Sequence, residues 1–253
     1  PIEEEVTVTI TGNHDSKAYN GSEQSVTDFT VTNISSNLYE ETGIAFNGIA
    51  EAKGTDAGTY YMNLSADQFT NTNKNFKNVK FVVEDGKLVI TPKNIVPGDN
   101  NKDLTAAAPE DVVYNGKSQQ QKPIVKDGDK VLEKGEDYTL TYSEDTTNVG
   151  TVTVTINGKG NYDGKFDVTY KITPAPLTVT TEGGSKVYDG KPLTNEVGSI
   201  AGLVNGETAT LKTTGSQTEV GTSDNTYEIV WDGTAKEANY TVSATVGTLK
   251  VTA

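Results

Sequence analysis

The sequence predicts an all-β protein made of three small antiparallel modules in tandem. Two observations predict the class: strict apolar/polar alternation in short runs, and Asn-Gly or Asp-Gly pairs at close spacing between them. A third predicts the tandem arrangement. The triplet Tyr-Asn/Asp-Gly recurs at Tyr19, Tyr114 and Tyr188, ending on Gly21, Gly116 and Gly190.

A strand sends successive side chains to opposite faces, so a half-buried strand alternates. "VTVTI" does so at Val6 to Ile10 and again at Val152 to Ile156. "FDVTYKI" places Phe166, Val168, Tyr170 and Ile172 on one face, "YEIVW" does the same with Tyr227, Ile229 and Trp231, and "TLKV" with Leu249 and Val251. Thr, Val and Tyr dominate these runs, as pleated half-buried surfaces favour. Pairs such as Asn20-Gly21, Asp85-Gly86, Asn115-Gly116, Asp127-Gly128, Asp189-Gly190 and Asn205-Gly206 read as hairpin turns, because they supply positive φ. No window of helical period stands out.

The repeat has three anchors in a constant order. The Tyr triplet comes first. A short acidic-or-Asn, small, Gly, Thr element follows, with its glycine at Gly58, Gly150 and Gly221. An Asn-aromatic pair comes last, Asn75-Phe76, Asn161-Tyr162 and Asn239-Tyr240, leading into the closing strands "KLVITP", "TYKITP" and "TLKVTA". The domain map is repeat one over 1–94, a polar linker over 95–107, a shorter repeat two over 108–174 and repeat three over 175–253. "ITPAPLTVT" leaves little slack between the last two repeats, because proline fixes φ, so that junction is expected to be stiff and the upstream one looser. Modules this small bury thin cores. The anchor tyrosine is therefore expected to pack under its sheet, with the Asp/Asn-Gly turning the chain after the first strand. Each module is expected to be an Ig-like sandwich in an elongated array, since a string of hairpins can close its apolar faces on each other.

Charge and composition narrow the function. Among 253 residues, 21 Lys and Arg face 35 Asp and Glu, for a formal charge of −14. Such a surface repels phosphate backbones, so no nucleic-acid partner is expected. No run approaches the ~18 apolar residues of a membrane span, so no direct membrane insertion is expected. The absence of cysteine excludes disulfides and thiol nucleophiles. His14 is the only histidine and is read as a solvated residue of a polar loop, which leaves no histidine-based triad. A glycosidase pair needs two carboxylates converging in a cleft, and thin repeats offer little room for one. No enzyme activity and no catalytic residue are expected. Asp99, Asn101 and Asp103 in the linker are the candidate calcium ligands, since oxygen donors cluster there, though without EF-hand spacing. No other cofactor is implied.

Repeat three carries "KVYDGKPLT", "GLVNGET", "GSQTEVGTSDNTYEI", "AKEANYTV" and "GTLKVT", and in these it resembles the MBG-type repeats, named for mucin binding, of Gram-positive surface proteins. Repeat one, with "AYNGSEQSV" and "DGKLVITP", is similar to a longer variant. Repeat two departs most, its "GKGNYDGKFDVTYKITPAP" resembling another short β repeat found beside them. The resemblance implies an extracellular stalk or adhesin segment, monomeric as an isolated fragment and anchored to the cell wall through segments outside this stretch. It also implies the alternative to the Ig-like sandwich, a β-grasp-like sheet on one short helix. The alternative expectation is host glycan or mucin binding through loops of repeat one or three. In repeat one, the Asn and Tyr side chains of "NISSNLYEETGIAF" and "SADQFTNTNKNF" are the candidates for that role.

Overall fold

A computed structural model describes all of residues 1–253. It is all-β, with short strands, three 3-10 turns (Glu41–Gly43, Ala66–Gln68 and Glu237–Asn239) and no α-helix. Alternation builds the core as expected. Val6, Val8 and Ile10 are buried while Thr7, Thr9 and Thr11 between them stay half-exposed, and Val152, Val154 and Ile156 repeat the pattern.

The chain divides into two compact units. One comprises Pro1–Leu104, Asp127–Thr139 and Ile156–Phe166; the other comprises Thr105–Lys126, Leu140–Thr155 and Asp167–Ala253. Residues of the middle repeat thus belong partly with the first repeat and partly with the third.

In the first unit, strand Val6–Gly12 lies between Phe29–Ile34, antiparallel, and Val79–Glu84, parallel. Strand Lys87–Thr91 lies between His14–Ala18, parallel, and Gly58–Tyr61, antiparallel. The second unit repeats this scheme. Ala175–Thr181 pairs antiparallel with Gly198–Ala201 and parallel with Tyr240–Thr245, and Thr248–Thr252 pairs parallel with Gly184–Val187 and antiparallel with Gly221–Asp224.

The sheets are therefore mixed, which corrects the expectation of purely antiparallel modules. Alternation reports which face is buried and is silent on direction, and the parallel partners here are far apart in sequence. Asp85-Gly86 illustrates the misreading: it joins Val79–Glu84 to Lys87–Thr91, which lie in different sheets. At that point the parallel pair of chains passes from one sheet to the next, and the backbones nearly touch. A Cβ on Gly12 would lie 2.3 Å from the Gly86 nitrogen, and one on Gly247 would lie 2.2 Å from the Gly183 nitrogen. Only glycine fits such a crossing.

Repeat one has an aromatic core. Phe46 stacks on Phe69, Phe29 meets both rings edge-on, and Tyr39 meets Phe76 edge-on at 5.1 Å. His14 opens strand His14–Ala18, where the sequence suggested a loop; it stays exposed, with Nε2 3.0 Å from the Asp85 carbonyl.

Candidate functional site: the junctions between repeats

The three sequence anchors of each repeat occupy equivalent backbone positions. The anchor tyrosine N–H donates to the last threonine of the closing strand: Tyr19 to Thr91 at 2.8 Å, Tyr114 to Thr173 at 2.8 Å and Tyr188 to Thr252 at 2.9 Å. The residue after the tyrosine then accepts a backbone N–H two positions on, at Asn20, Asn115 and Asp189, and the glycine between adopts φ of 78°, 76° and 73°. Left-handed φ at this point is why the third residue of the triplet is glycine. The Asn-aromatic pair closes a turn in which the aromatic N–H donates three residues back, from Phe76 to Asn73, Tyr162 to Lys159 and Tyr240 to Glu237. That aromatic then pairs in parallel with a residue well upstream: Phe76 with Ile2, Tyr162 with Lys93 and Tyr240 with Ala175.

These equivalent ends meet, the Tyr triplet and the Gly-Thr element of one repeat against the Asn-aromatic pair of the next. Within the first unit, the Tyr19 and Tyr162 rings meet edge-to-face at 5.6 Å. The Ala57 N–H donates to Asn161 Oδ1 at 2.7 Å, and Asn161 Nδ2 donates to Asp56 Oδ1 at 2.9 Å. Tyr162 donates its hydroxyl to Asp127 Oδ2 at 2.9 Å, and Lys93 Nζ lies 2.7 Å from the other oxygen of that carboxylate. Lys130 Nζ sits 5.8 Å above the Tyr162 ring, within cation–π range.

Within the second unit the same contacts recur with different side chains. The Tyr114 and Tyr240 rings meet edge-to-face at 5.7 Å. The Val149 N–H donates to Asn239 Oδ1 at 2.9 Å, and Asn239 Nδ2 donates to Asn148 Oδ1 at 2.9 Å. Glu207 takes the place of Asp127 and accepts from both tyrosine hydroxyls, Tyr114 on Oε1 and Tyr240 on Oε2. Asn205 Nδ2 donates to the Gly116 carbonyl at 3.0 Å. The single tryptophan, Trp231, stacks on Tyr240 at 6.1 Å. A shared apolar core runs through this junction, joining Tyr114, Val152, Val154 and Ile172 of repeat two to Leu177, Ala235 and Tyr240 of repeat three.

Burial and carboxylate partners keep the junction phenols neutral. The Tyr114 hydroxyl is pushed up to about 12, chiefly by burial and then by its bond to Glu207. Tyr162 is raised further, again first by burial and then by Asp127, and Tyr240 is raised by burial and Glu207. An ionised phenol beside a carboxylate in a dry pocket is disfavoured twice, by desolvation and by like charge.

The anchor tyrosine was expected to pack under its own sheet. Tyr19 and Tyr114 are indeed buried, at 9% and 4% exposure, but the next repeat supplies the covering ring. Tyr188 has the same backbone setting but meets no such ring, and it is 48% exposed. The triplet also turns the chain after the second strand of the repeat, since His14–Ala18 and Gly184–Val187 precede it. Gly58, Gly150 and Gly221 each open the strand after the Gly-Thr element.

Asp127, Glu207 and Asn205 are the junction residues that sequence reading overlooks. In the sequence Asp127 and Asn205 read only as turn formers, and the paired asparagines only as anchors of isolated repeats. The available signal was the invariant Asn beside an aromatic, a residue with both a donor and an acceptor where a core position needs neither.

Two of the three linker residues, Asn101 and Asp103, have structural partners. Asn101 Nδ2 donates to the Asn94 and Val96 carbonyls, Asp103 lies 3.7 Å from Lys93 Nζ, and Asp99 is exposed. Ile95 and Leu104, at the two ends of this stretch, are buried. In repeat one, Tyr39 donates to the Gly43 carbonyl and to Asn71 Oδ1, while Asn71 Nδ2 donates to the Asn73 and Phe76 carbonyls. Of the side chains singled out for glycan contact there, Tyr39 and Asn71 serve the module's own core, while Asn33, Asn37 and Asn75 are exposed. A cleft of about 440 Å³ lies beside the first junction, lined by Tyr19, Lys93, Asp103, Asp127, Lys130 and Tyr162 among others.

A family model described as MBG domain matches residues 6–92, and one described as MBG domain (YGX type) matches residues 177–250. Neither match covers residues 93–176. No curated protein and no solved structure matches the chain.

Proposed function

We propose, for a chain that carries MBG domains in tandem and belongs to that family, the role of a non-catalytic stalk or adhesin repeat segment in a bacterial cell-surface protein. MBG domains are generally non-catalytic repeat modules typical of bacterial surface proteins. No helix is long and apolar enough to cross a membrane. One observation carries the reading: the contact between successive repeats is made twice with the same backbone groups, Ala57 and Val149 donating to Asn161 and Asn239. A contact built to one pattern at successive joints suits a segment whose task is to hold its modules in a fixed relation. Each module is read as a two-layer sandwich of mixed sheets, supported by the paired three-stranded sheets of repeats one and three. The Asn-bonded contact at both joints favours similar stiffness for the two junctions over the looser upstream linker first expected.

Small-angle X-ray scattering tests the stalk reading. A compact globule of this length has a radius of gyration near ~18 Å. The expected value lies clearly above that, with a distance distribution skewed to long vectors. A value at the globular figure refutes the reading.

A further inference from the structure

We propose that the exposed end of repeat three, formed by Tyr188 and the Glu219-Val220-Gly221 element, is a docking half-site for the Asn-aromatic end of another repeat of this kind. The inference rests on the stalk reading and names the partner of its exposed half-joint.

Each joint combines two halves. The first half is the Tyr triplet plus the backbone N–H before the Gly-Thr element; the second is the Asn-aromatic turn. Tyr19 with Ala57, and Tyr114 with Val149, are first halves already covered by Asn161-Tyr162 and Asn239-Tyr240. Tyr188 with Val220 has the same backbone frame. Its tyrosine N–H bonds the closing strand, Gly190 holds φ of 73°, and Gly221 pairs with Val251 as Gly58 pairs with Ile90.

The surface matches that assignment. Tyr188 is 48% exposed, Val187 65% and Val220 56%. A Cβ on Gly190 would meet nothing within 4 Å, whereas one on Gly116 would lie 2.5 Å from Asn205 Cβ of the following repeat. Glu219 offers the carboxylate oxygen that Asp56 offers to Asn161, on an arm one carbon longer. Repeat one carries a counterpart of the complementary half, in which Asn75 is exposed while Phe76 is buried at 5% and packs edge-on against Tyr39 of its own module. Asn75 points from the same turn as Asn161 and Asn239, beside Phe76 and the 67% exposed Leu38. A tyrosine ring, an open backbone donor and an acidic oxygen together call for a carboxamide beside an aromatic ring.

The test is a tandem fusion of two full chains with Ala253 joined directly to Ile2. Thr252-Ala253-Ile2 then reproduces the spacing of Thr91-Pro92-Lys93 and Thr173-Pro174-Ala175. With only the first copy isotopically labelled, amide exchange at Val220 is compared with that in the single chain. A new hydrogen bond of ordinary net strength slows exchange by roughly tenfold. The expected result is that slowing in the fusion, and its loss when the second copy carries Asn75→Ala. Because Asn75 is exposed, that variant leaves its own module folded. Exchange equal to that of the single chain, or slowing that survives Asn75→Ala, overturns the proposal. Neither result alters the scattering of the single chain, so the stalk reading stands or falls separately.

Discussion

Replacing Asn239 with alanine tests whether the second junction is held by the carboxamide. Asn239 is 1% exposed, accepts from the Val149 N–H at 2.9 Å and donates to Asn148 Oδ1 at 2.9 Å. Each lost bond costs about 0.5–1.5 kcal/mol net, and a stranded, half-buried N–H adds to that, so a loss of roughly 2–4 kcal/mol is expected. With a urea m-value of about 1–3 kcal/mol/M, the midpoint falls by on the order of 1 M. Trp231, stacked on Tyr240 beside this joint, gives a local fluorescence reading, and circular dichroism follows the whole chain. Asn75→Ala is the matched control, because it removes the same residue from the same turn where no repeat meets it. That control should stay within about 0.5 kcal/mol of the parent. If Asn239→Ala costs no more than Asn75→Ala, the bonded geometry contributes nothing and the argument fails.

Three further outcomes follow from the same geometry. Gly116→Ala and Gly190→Ala both force an L side chain into left-handed φ, at about 1 kcal/mol. Gly116→Ala should cost clearly more in thermal unfolding, because its methyl also strikes Asn205, and equal losses would count against a closed second joint. Gly12→Ala places a methyl 2.3 Å from the Gly86 nitrogen, backbone against backbone, and should exceed about 4 kcal/mol; a well-dispersed amide spectrum of unchanged stability would contradict the crossing. Raising the pH should destabilise the second unit only beyond the ordinary phenol value of 10.0, since Tyr114 keeps its proton up to about 12 in the fold. Between those values the unfolded chain binds fewer protons than the folded one, so stability falls as pH rises. Phenolate absorbance appearing in the folded protein near pH 10 at Tyr114 would refute the buried phenol.

The class and the core were legible because they depend on local pattern. Val6, Val8 and Ile10 alternate with threonine, and no other arrangement buries one face so economically. Strand direction was not legible, because nothing in "VTVTI" specifies that its neighbour is Val79–Glu84, running parallel from the far end of the repeat. The junction was half legible. Tyr19, Tyr114, Tyr162 and Tyr240 were all recognised as recurring anchors, but pattern counting treats each repeat as its own enclosure. The pairing of Tyr19 with Tyr162 joins anchors of different kinds from different repeats, and only geometry reveals it. Glu207 was hidden for a further reason: its counterpart Asp127 lies at a different place in a repeat of different length, so the two never align as one column.

The way the joints vary also shows what they require. The residue whose N–H meets the asparagine is Ala57 in one joint and Val149 in the other, and a backbone donor places no demand on side-chain identity beyond size. The group that accepts from the asparagine Nδ2 is an Asp56 carboxylate in one and an Asn148 carbonyl in the other, alike only in offering an oxygen. Asp127 and Glu207 differ in reach, yet each accepts the hydroxyl of the arriving tyrosine. The carboxamide itself is constant, because it alone must donate and accept at once, and so is the glycine that sets the turn beside the tyrosine. Substitution of Asn239 by Asp should therefore separate the two demands: the Val149 bond keeps its acceptor, while an oxygen now faces Asn148 Oδ1 unless that amide turns over. A cost well below that of Asn239→Ala would place the weight of the joint on the backbone donor, and a cost equal to it would place the weight on the side-chain pair.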